Sequence, residues 1–177
     1  MNSKKGRPIE DSYWVVPELF LAGEYPGAPR GREGRLKVAS LLDAGIRQFI
    51  DLTMEGEYDL RPYVPDLAEV AQQRGLEVLH RRMPIKDLGT PSNDEMANIL
   101  NEIDASISDE RPVYVHCFGG IGRTGTVVGC YLVRSGLSGE QALDLIDEWR
   151  SGTPDGDRAS PEMPEQKQMV LDWGEGG

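Results

Sequence analysis

The sequence is short of everything that staples, anchors or metal-dependent chemistry would need. Among its 177 residues are two cysteines, Cys117 and Cys130, and two histidines, His80 and His116. Two cysteines are too few for a disulfide framework and fit a reducing compartment. Their spacing from the histidines matches no zinc pattern, so no metal and no other cofactor is expected. No apolar stretch approaches the roughly 18 residues of a membrane span, and the first ten residues lack the apolar core of a secretory signal. Positive charge is not in excess either: 19 basic against 30 acidic residues leave a net charge of −11. That balance argues against broad binding to nucleic acid or to an anionic membrane. No internal repeat is visible. The expectation is a soluble, cytoplasmic monomer.

What is present reads as one globular domain. Hydrophobic residues make up 38% and charged residues 28%, and a chain of this length buries roughly 70% of its unfolded surface. Residues 1–8, with Lys4, Lys5 and Arg7, read as a flexible basic tail, residues 9–173 as the domain, and the glycine-rich 174–177 as a second tail. Within the domain, strand and helix signals alternate. Apolar runs at 13–16 and 19–22 suggest a hairpin, and strands are expected over 46–52, 76–85 and 112–116. Helices are expected over 33–44, from Pro65 to Gly75, from Ser92, over 122–135, from Ser138, and over 166–173. Ser92 with Glu95, and Ser138 with Gln141, have the spacing of helix-capping boxes. Met96, Ile99, Leu100 and Ile103 recur at helical spacing and read as core, as do Ala142, Leu145, Ile146 and Trp149. This alternation implies an α/β fold: a single domain with a central, mostly parallel twisted sheet flanked by helices.

One segment departs from core-and-loop composition. His116-Cys117-Phe118-Gly119-Gly120-Ile121-Gly122-Arg123-Thr124-Gly125 follows a strand and opens a helix. A glycine-rich turn at a helix N-terminus aims unpaired N–H groups and the positive dipole end at one point, which makes an anion site. Phe118, Gly119, Gly120, Ile121 and Gly122 would supply the amides. Arg123 offers a planar fork for two phosphoryl oxygens and never loses its charge. A thiol in such a place favours its thiolate form, so Cys117 is a nucleophile aimed at phosphorus. The Thr124 hydroxyl is placed to hydrogen-bond that thiolate. Cys130 lies seven residues past Arg123, about 10 Å along a helix. It reads as core, out of reach of a disulfide with Cys117.

His-Cys-x5-Arg-Thr-Gly resembles the active-site signature of the cysteine-based protein tyrosine phosphatase superfamily, in its dual-specificity branch. The run Pro84-Ile85-Lys86-Asp87-Leu88-Gly89-Thr90-Pro91 is similar to the acid loop of cyclin-dependent-kinase-associated phosphatases. The resemblance implies a tyrosine-phosphatase-like fold and a metal-free, two-step hydrolysis through a phosphocysteine. It also makes Asp87 the acid that protonates the leaving oxygen. Asp94 is the fallback, though it falls in a first helical turn where a carboxylate serves the dipole. His116 is expected to orient the loop. Gln166 is a candidate for positioning water, the plainer reading being a solvated helix glutamine. Tyr58, Arg61 and Tyr63 are candidates to border the substrate mouth.

The function expected is therefore a protein phosphatase acting on phosphotyrosine, with phosphoserine and phosphothreonine as further substrates. Two alternatives stand beside it. An inositol-phosphate or phosphoinositide phosphatase is disfavoured by the lack of lysine between Cys117 and Arg123 and by the negative net charge. A catalytically idle phosphoprotein-binding module is disfavoured because Cys117, Arg123 and Asp87 are all present. The basic cluster Arg30, Arg32, Arg35 and Lys37 reads as a solvated helix start.

Overall fold

The computed structural model describes residues 6–175. Among these, five strands form one sheet: β1 (Ser12–Val16), β2 (Phe20–Gly23), β3 (Gln48–Asp51), β4 (Leu79–Arg82) and β5 (Val113–His116). Their spatial order is β1-β2-β5-β3-β4. The β1–β2 hairpin is antiparallel and every other pairing is parallel. Six α-helices complete the fold: α1 (Gly31–Asp43), α2 (Val64–Gln73), α3 (Asn93–Ser108), α4 (Gly122–Arg134), α5 (Gly139–Arg150) and α6 (Pro164–Asp172). The expected α/β class with a mostly parallel sheet is the one observed.

Strand periodicity divides the core in two. Successive side chains point to opposite faces, so Phe20, Ala22, Ile50, Val113 and Val115 join a cluster with α3 to α6. Leu21, Phe49 and Tyr114 join the other, with α1 and α2. Each Phe, Leu, Ile or Val side chain among these, fully removed from water, contributes about 1.5–3 kcal/mol. Both predicted capping boxes are formed. Ser92 Oγ accepts the Glu95 N–H at 3.2 Å, and Ser138 Oγ accepts that of Gln141 at 3.1 Å. Met96, Ile99, Leu100 and Ile103 are all buried. Helix α4 is buried continuously from Gly122 to Cys130. Its apolar character follows from lying between the sheet and its neighbours α3, α5 and α6.

Two boundaries differ from expectation. β4 is four residues long, not the ten of 76–85. It is an edge strand, and Pro84 lacks the N–H that would continue the ladder. The chain nevertheless stays tied to the sheet beyond it, because the Met83 and Ile85 amides donate to Asp51 and Leu52 carbonyls at 2.9 and 3.0 Å. At the N-terminus, residues 1–5 of the expected tail lie outside the described residues, and Arg7 is held. Its guanidinium donates to the carbonyls of Gly152 at 2.8 Å and Ser151 at 2.9 Å. At the other end, Gly174 lies in a 3₁₀ turn, Trp173–Glu175.

Arg7 thereby braces the loop that follows α5. Arg150, itself buried, donates into the same loop, to Arg158 O at 2.5 Å and Asp155 O at 2.6 Å. No helix among the described residues is long and apolar enough to cross a membrane.

Candidate active site

In a parallel sheet the loops leaving the carboxyl ends share one edge, where ligands bind. Here β5 lies between β2 and β3, so the turn after His116 is central to that edge. It enters α4 at Gly122 and forms the floor of a cleft of about 970 Å³. Gly120 has φ +72°, and a Cβ there would overlap the backbone of Gly23 and Glu24. Only glycine meets both demands. The outer side of the turn is fastened by Tyr25 N–H to Phe118 O at 2.9 Å and by Ser160 Oγ to Ile121 O at 2.6 Å.

Cys117 lies at the start of this turn, 3% exposed, and its Sγ accepts the Gly120 N–H at 3.2 Å. Cys130 is fully buried in the core, where loss of solvation pushes its thiol up to about 12. Both cysteines are free. The Thr124 hydroxyl does not make the expected bond to Cys117. It is buried and has no hydrogen-bond partner, and the Gly120 amide takes that place at the sulfur.

His116 is buried behind the turn. Burial holds its pKa below the ordinary histidine value, with the Asp51 carboxylate, 4.0 Å away, acting in the opposite sense. The ring is therefore neutral near pH 7. Its Nδ1 lies 3.0 Å from the Cys117 carbonyl, which can only accept, so Nδ1 carries the proton. Nε2 then accepts from the Tyr63 hydroxyl at 2.8 Å. Tyr63, a candidate for the mouth, is thus a buried support beneath the turn. Asp51 receives the Thr53 N–H and Oγ1 at 2.9 and 2.6 Å. Burial raises its pKa, but hydrogen bonds from His80 and Thr53 and the field of His116 outweigh that and leave it below the usual carboxylate range.

Arg123 is 2% exposed, and both of its terminal nitrogens are engaged. Its two terminal nitrogens grip Glu57 in a fork, at 2.8 Å to Oε2 and 2.5 Å to Oε1. Nη1 also donates to Ile85 O at 3.0 Å, and Nη2 lies 3.1 Å from Asp87 Oδ1. Burial lowers the Arg123 pKa, but the Glu57 hydrogen bond and the charges of Cys117, Glu57 and Asp87 more than reverse this. Sequence reasoning missed Glu57. It lies past the carboxyl end of β3, so topology makes that loop a candidate. Nothing local, however, distinguishes Glu57 from Glu55 or Asp59.

Asp87 reaches the cleft as expected, whereas Asp94, in the first turn of α3, does not line it. The second oxygen of Asp87, Oδ2, accepts the Tyr58 hydroxyl. Tyr58 is 62% exposed at the mouth, and its ring lies 5.2 Å from that of Phe118. Gln166 is not a solvated helix residue. It is wholly buried, accepts the Met163 N–H at 3.0 Å and donates to Gly89 O at 3.0 Å. Its amide also packs on Gly122. A C-terminal helix is thereby joined to the segment carrying Asp87. Of the basic cluster, Lys37 alone lines the cleft, and it is paired with Glu24 at 2.8 Å.

A family model described as the DSP-PTPase phosphatase of polymorphic toxin systems matches residues 28–137, more than half of the chain, and the chain belongs to that family. Human cyclin-dependent kinase inhibitor 3 is 34% identical over 113 residues, covering 62% of this chain and 51% of the human protein. The chain spans about half the length of the curated relatives it matches.

Solved structures that share the fold include the following two. Kinase associated phosphatase, with its catalytic-site cysteine replaced by serine, is 23% identical, with TM-score 0.72 and 96% of both chains covered. PTPMT1 in complex with PI(5)P is 20% identical, with TM-score 0.69, covering 93% of this chain and 94% of its own.

Proposed function

We propose that this protein is a metal-independent phosphomonoesterase acting on phosphotyrosine in proteins, and also on phosphoserine and phosphothreonine, through a phosphocysteine intermediate. The observation that carries the reading is the grouping of three side chains in one cleft. The Cys117 sulfur lies inside a turn of amides, Arg123 closes the other end of that turn, and Asp87 rests on Arg123. The substrate's phosphoryl oxygens replace the Asp87 carboxylate on Arg123 and take up the amides of 118–122. Cys117 Sγ attacks phosphorus, so an S–P bond forms as the P–O ester bond breaks, and Asp87 hands its proton to the departing oxygen. In the second step Asp87, now a carboxylate, takes a proton from the water that attacks phosphorus and releases the thiolate.

Positive charge for the phosphoryl group comes from Arg123 and the helix N-terminus, so the reaction calls for no metal. His116 would orient the turn through the Cys117 carbonyl, and Gln166 would act on the segment bearing Asp87 or on the incoming water. The reading includes a cytoplasmic setting, in which Cys117 stays reduced. Cleft charge supports a singly phosphorylated substrate over a phosphoinositide. Among the described residues lining the cleft, Lys37, Arg61, Arg123 and Arg158 are each paired with a carboxylate of this chain. A headgroup with several phosphates would find no unpaired cation there.

The test is hydrolysis of p-nitrophenyl phosphate with excess EDTA by the unmodified, reduced protein and by Cys117→Ser. Activity that survives EDTA and falls by about 10⁴ or more in the serine variant is expected, as for loss of a nucleophile elsewhere. An inactive unmodified protein that still binds a phosphopeptide would establish the binding-module reading instead. Undiminished activity in Cys117→Ser would remove Cys117 as nucleophile.

A further inference from the structure

Two consecutive residues of one loop are committed to this site. Glu57 grips Arg123, and Tyr58 donates its hydroxyl to Asp87. The loop adopts an unfavourable backbone to do so. Tyr58 has φ +53° and Asp59 φ +50°, the left-handed region that side-chain-bearing residues rarely enter. Such conformations persist where the surroundings hold them, and they cluster at functional sites. Leu88, next to Asp87, is also left-handed at φ +61°. The Tyr58 ring is not buried in the core; it stands exposed against Phe118. Core packing therefore does not account for its backbone strain, and among the described residues its one side-chain hydrogen bond is with Asp87.

We infer that Tyr58 is a positioning residue for the acid, its hydroxyl selecting which oxygen of Asp87 carries the transferred proton. This rests on the reading of Asp87 as the acid. In the unliganded protein Oδ1 of Asp87 faces Arg123 and Oδ2 accepts from Tyr58. When a phosphoryl group takes Arg123, Oδ1 is released toward the ester oxygen. Oδ2 remains engaged as the acceptor of Tyr58 O–H, so the acidic proton belongs on Oδ1. As the P–O bond breaks, Oδ1 gives up that proton and the carboxylate left behind keeps the Tyr58 hydrogen bond. The bond is thus stronger after proton transfer than before it, which favours the transition state over the ground state. The Tyr58 phenol stays protonated for this role, because its hydrogen bond to the Asp87 carboxylate raises its pKa above the ordinary tyrosine value.

The inference is tested with Tyr58→Phe, which keeps the ring on Phe118 and deletes only the hydroxyl. Phenyl phosphate needs its leaving oxygen protonated; p-nitrophenyl phosphate, with a much weaker base as leaving group, needs it less. With phenyl phosphate kcat/KM is expected to fall about ten- to hundredfold, the range for a hydrogen bond to a charged group. With p-nitrophenyl phosphate the fall is expected to be several times smaller. A double-mutant cycle supplies the decisive arm: in an Asp87→Asn background the same substitution is expected to change phenyl phosphate turnover less than about twofold. Equal losses on both esters, or a loss that is the same in both backgrounds, would overturn the role of Tyr58 and leave the phosphatase reading intact. An unmodified protein without activity on either ester would overturn both.

Discussion

The cradle and the two loops that face it are built by opposite means. Between His116 and Arg123 the backbone does the work. Gly120 is folded where no side chain fits, its amide meets Sγ, and the Phe118 and Ile121 carbonyls are tied down from outside. Across the cleft, side chains do it. Glu57, Tyr58 and Asp87 come from loops distant in the chain, and the tips of their side chains meet Arg123 or one another. A backbone cradle changes only if the fold changes, whereas a side-chain wall can be altered one atom at a time. Substitutions in the facing loops should therefore lower rates while sparing the fold, and perturbation beneath the cradle should register first as lost stability.

The largest effect expected from the loop side is that of Asp87→Asn. It removes the proposed proton donor without removing volume, and should slow phenyl phosphate hydrolysis by about 10²–10⁴ with no shift in the thermal midpoint. Steady-state rates beside a melting curve check this, and an unaltered rate would take Asp87 out of the acid role. Glu57→Gln should have a smaller effect. It keeps the shape of the fork on Arg123 but loses its charge, and misplacement of the guanidinium should reduce kcat/KM by about ten- to hundredfold. If kcat/KM is unchanged, the Ile85 and Leu52 carbonyls and Asp87 suffice to orient Arg123.

The smallest effect concerns the cradle's foundation and is a matter of pH. His116 is held neutral because burial lowers its pKa in the folded protein, while in the unfolded chain it titrates near 6.5. The unfolded state therefore takes up the proton first as pH falls. Stability from the neutral ring is complete above about pH 6.5 and is lost as pH falls toward the folded value, by at most about 1.4 kcal/mol per pH unit. Thermal midpoints measured from pH 7.5 to 5.5 should decline more steeply for the unmodified protein than for His116→Gln. Parallel declines would show that the ring's ionisation is not felt by the fold.

Much of this contrast is visible in one dimension and much is not. The cradle is legible because its constraints are local: a strand end, a cysteine, three glycines and an arginine between His116 and Arg123. The helix caps at Ser92 and Ser138 are legible for the same reason. The facing wall is not, because its partners lie far apart in the chain. Tyr58 finds Asp87, Glu57 finds Arg123, and Gln166 finds Gly89. Thr124 shows the limit in the other direction, since adjacency to Arg123 predicted a bond that the helix geometry does not make. Likewise β4 reads as a ten-residue strand from its composition, and only its place at the sheet edge, with Pro84 following, shortens it.

By itself, then, the sequence determined the α/β alternation, the apolar helix faces and the glycine-rich turn that carries the Cys117 thiol. Each depends on residues within a turn or two of one another, where backbone geometry and periodicity leave little choice. The tertiary structure alone decided which carboxylate of the 54–60 loop holds Arg123, which hydroxyl reaches Asp87, and that Gln166 is buried against the segment carrying Asp87. Those pairings depend on the parallel order of β3, β5 and β4 bringing three distant loops to one edge, a placement set by the packing of the whole domain.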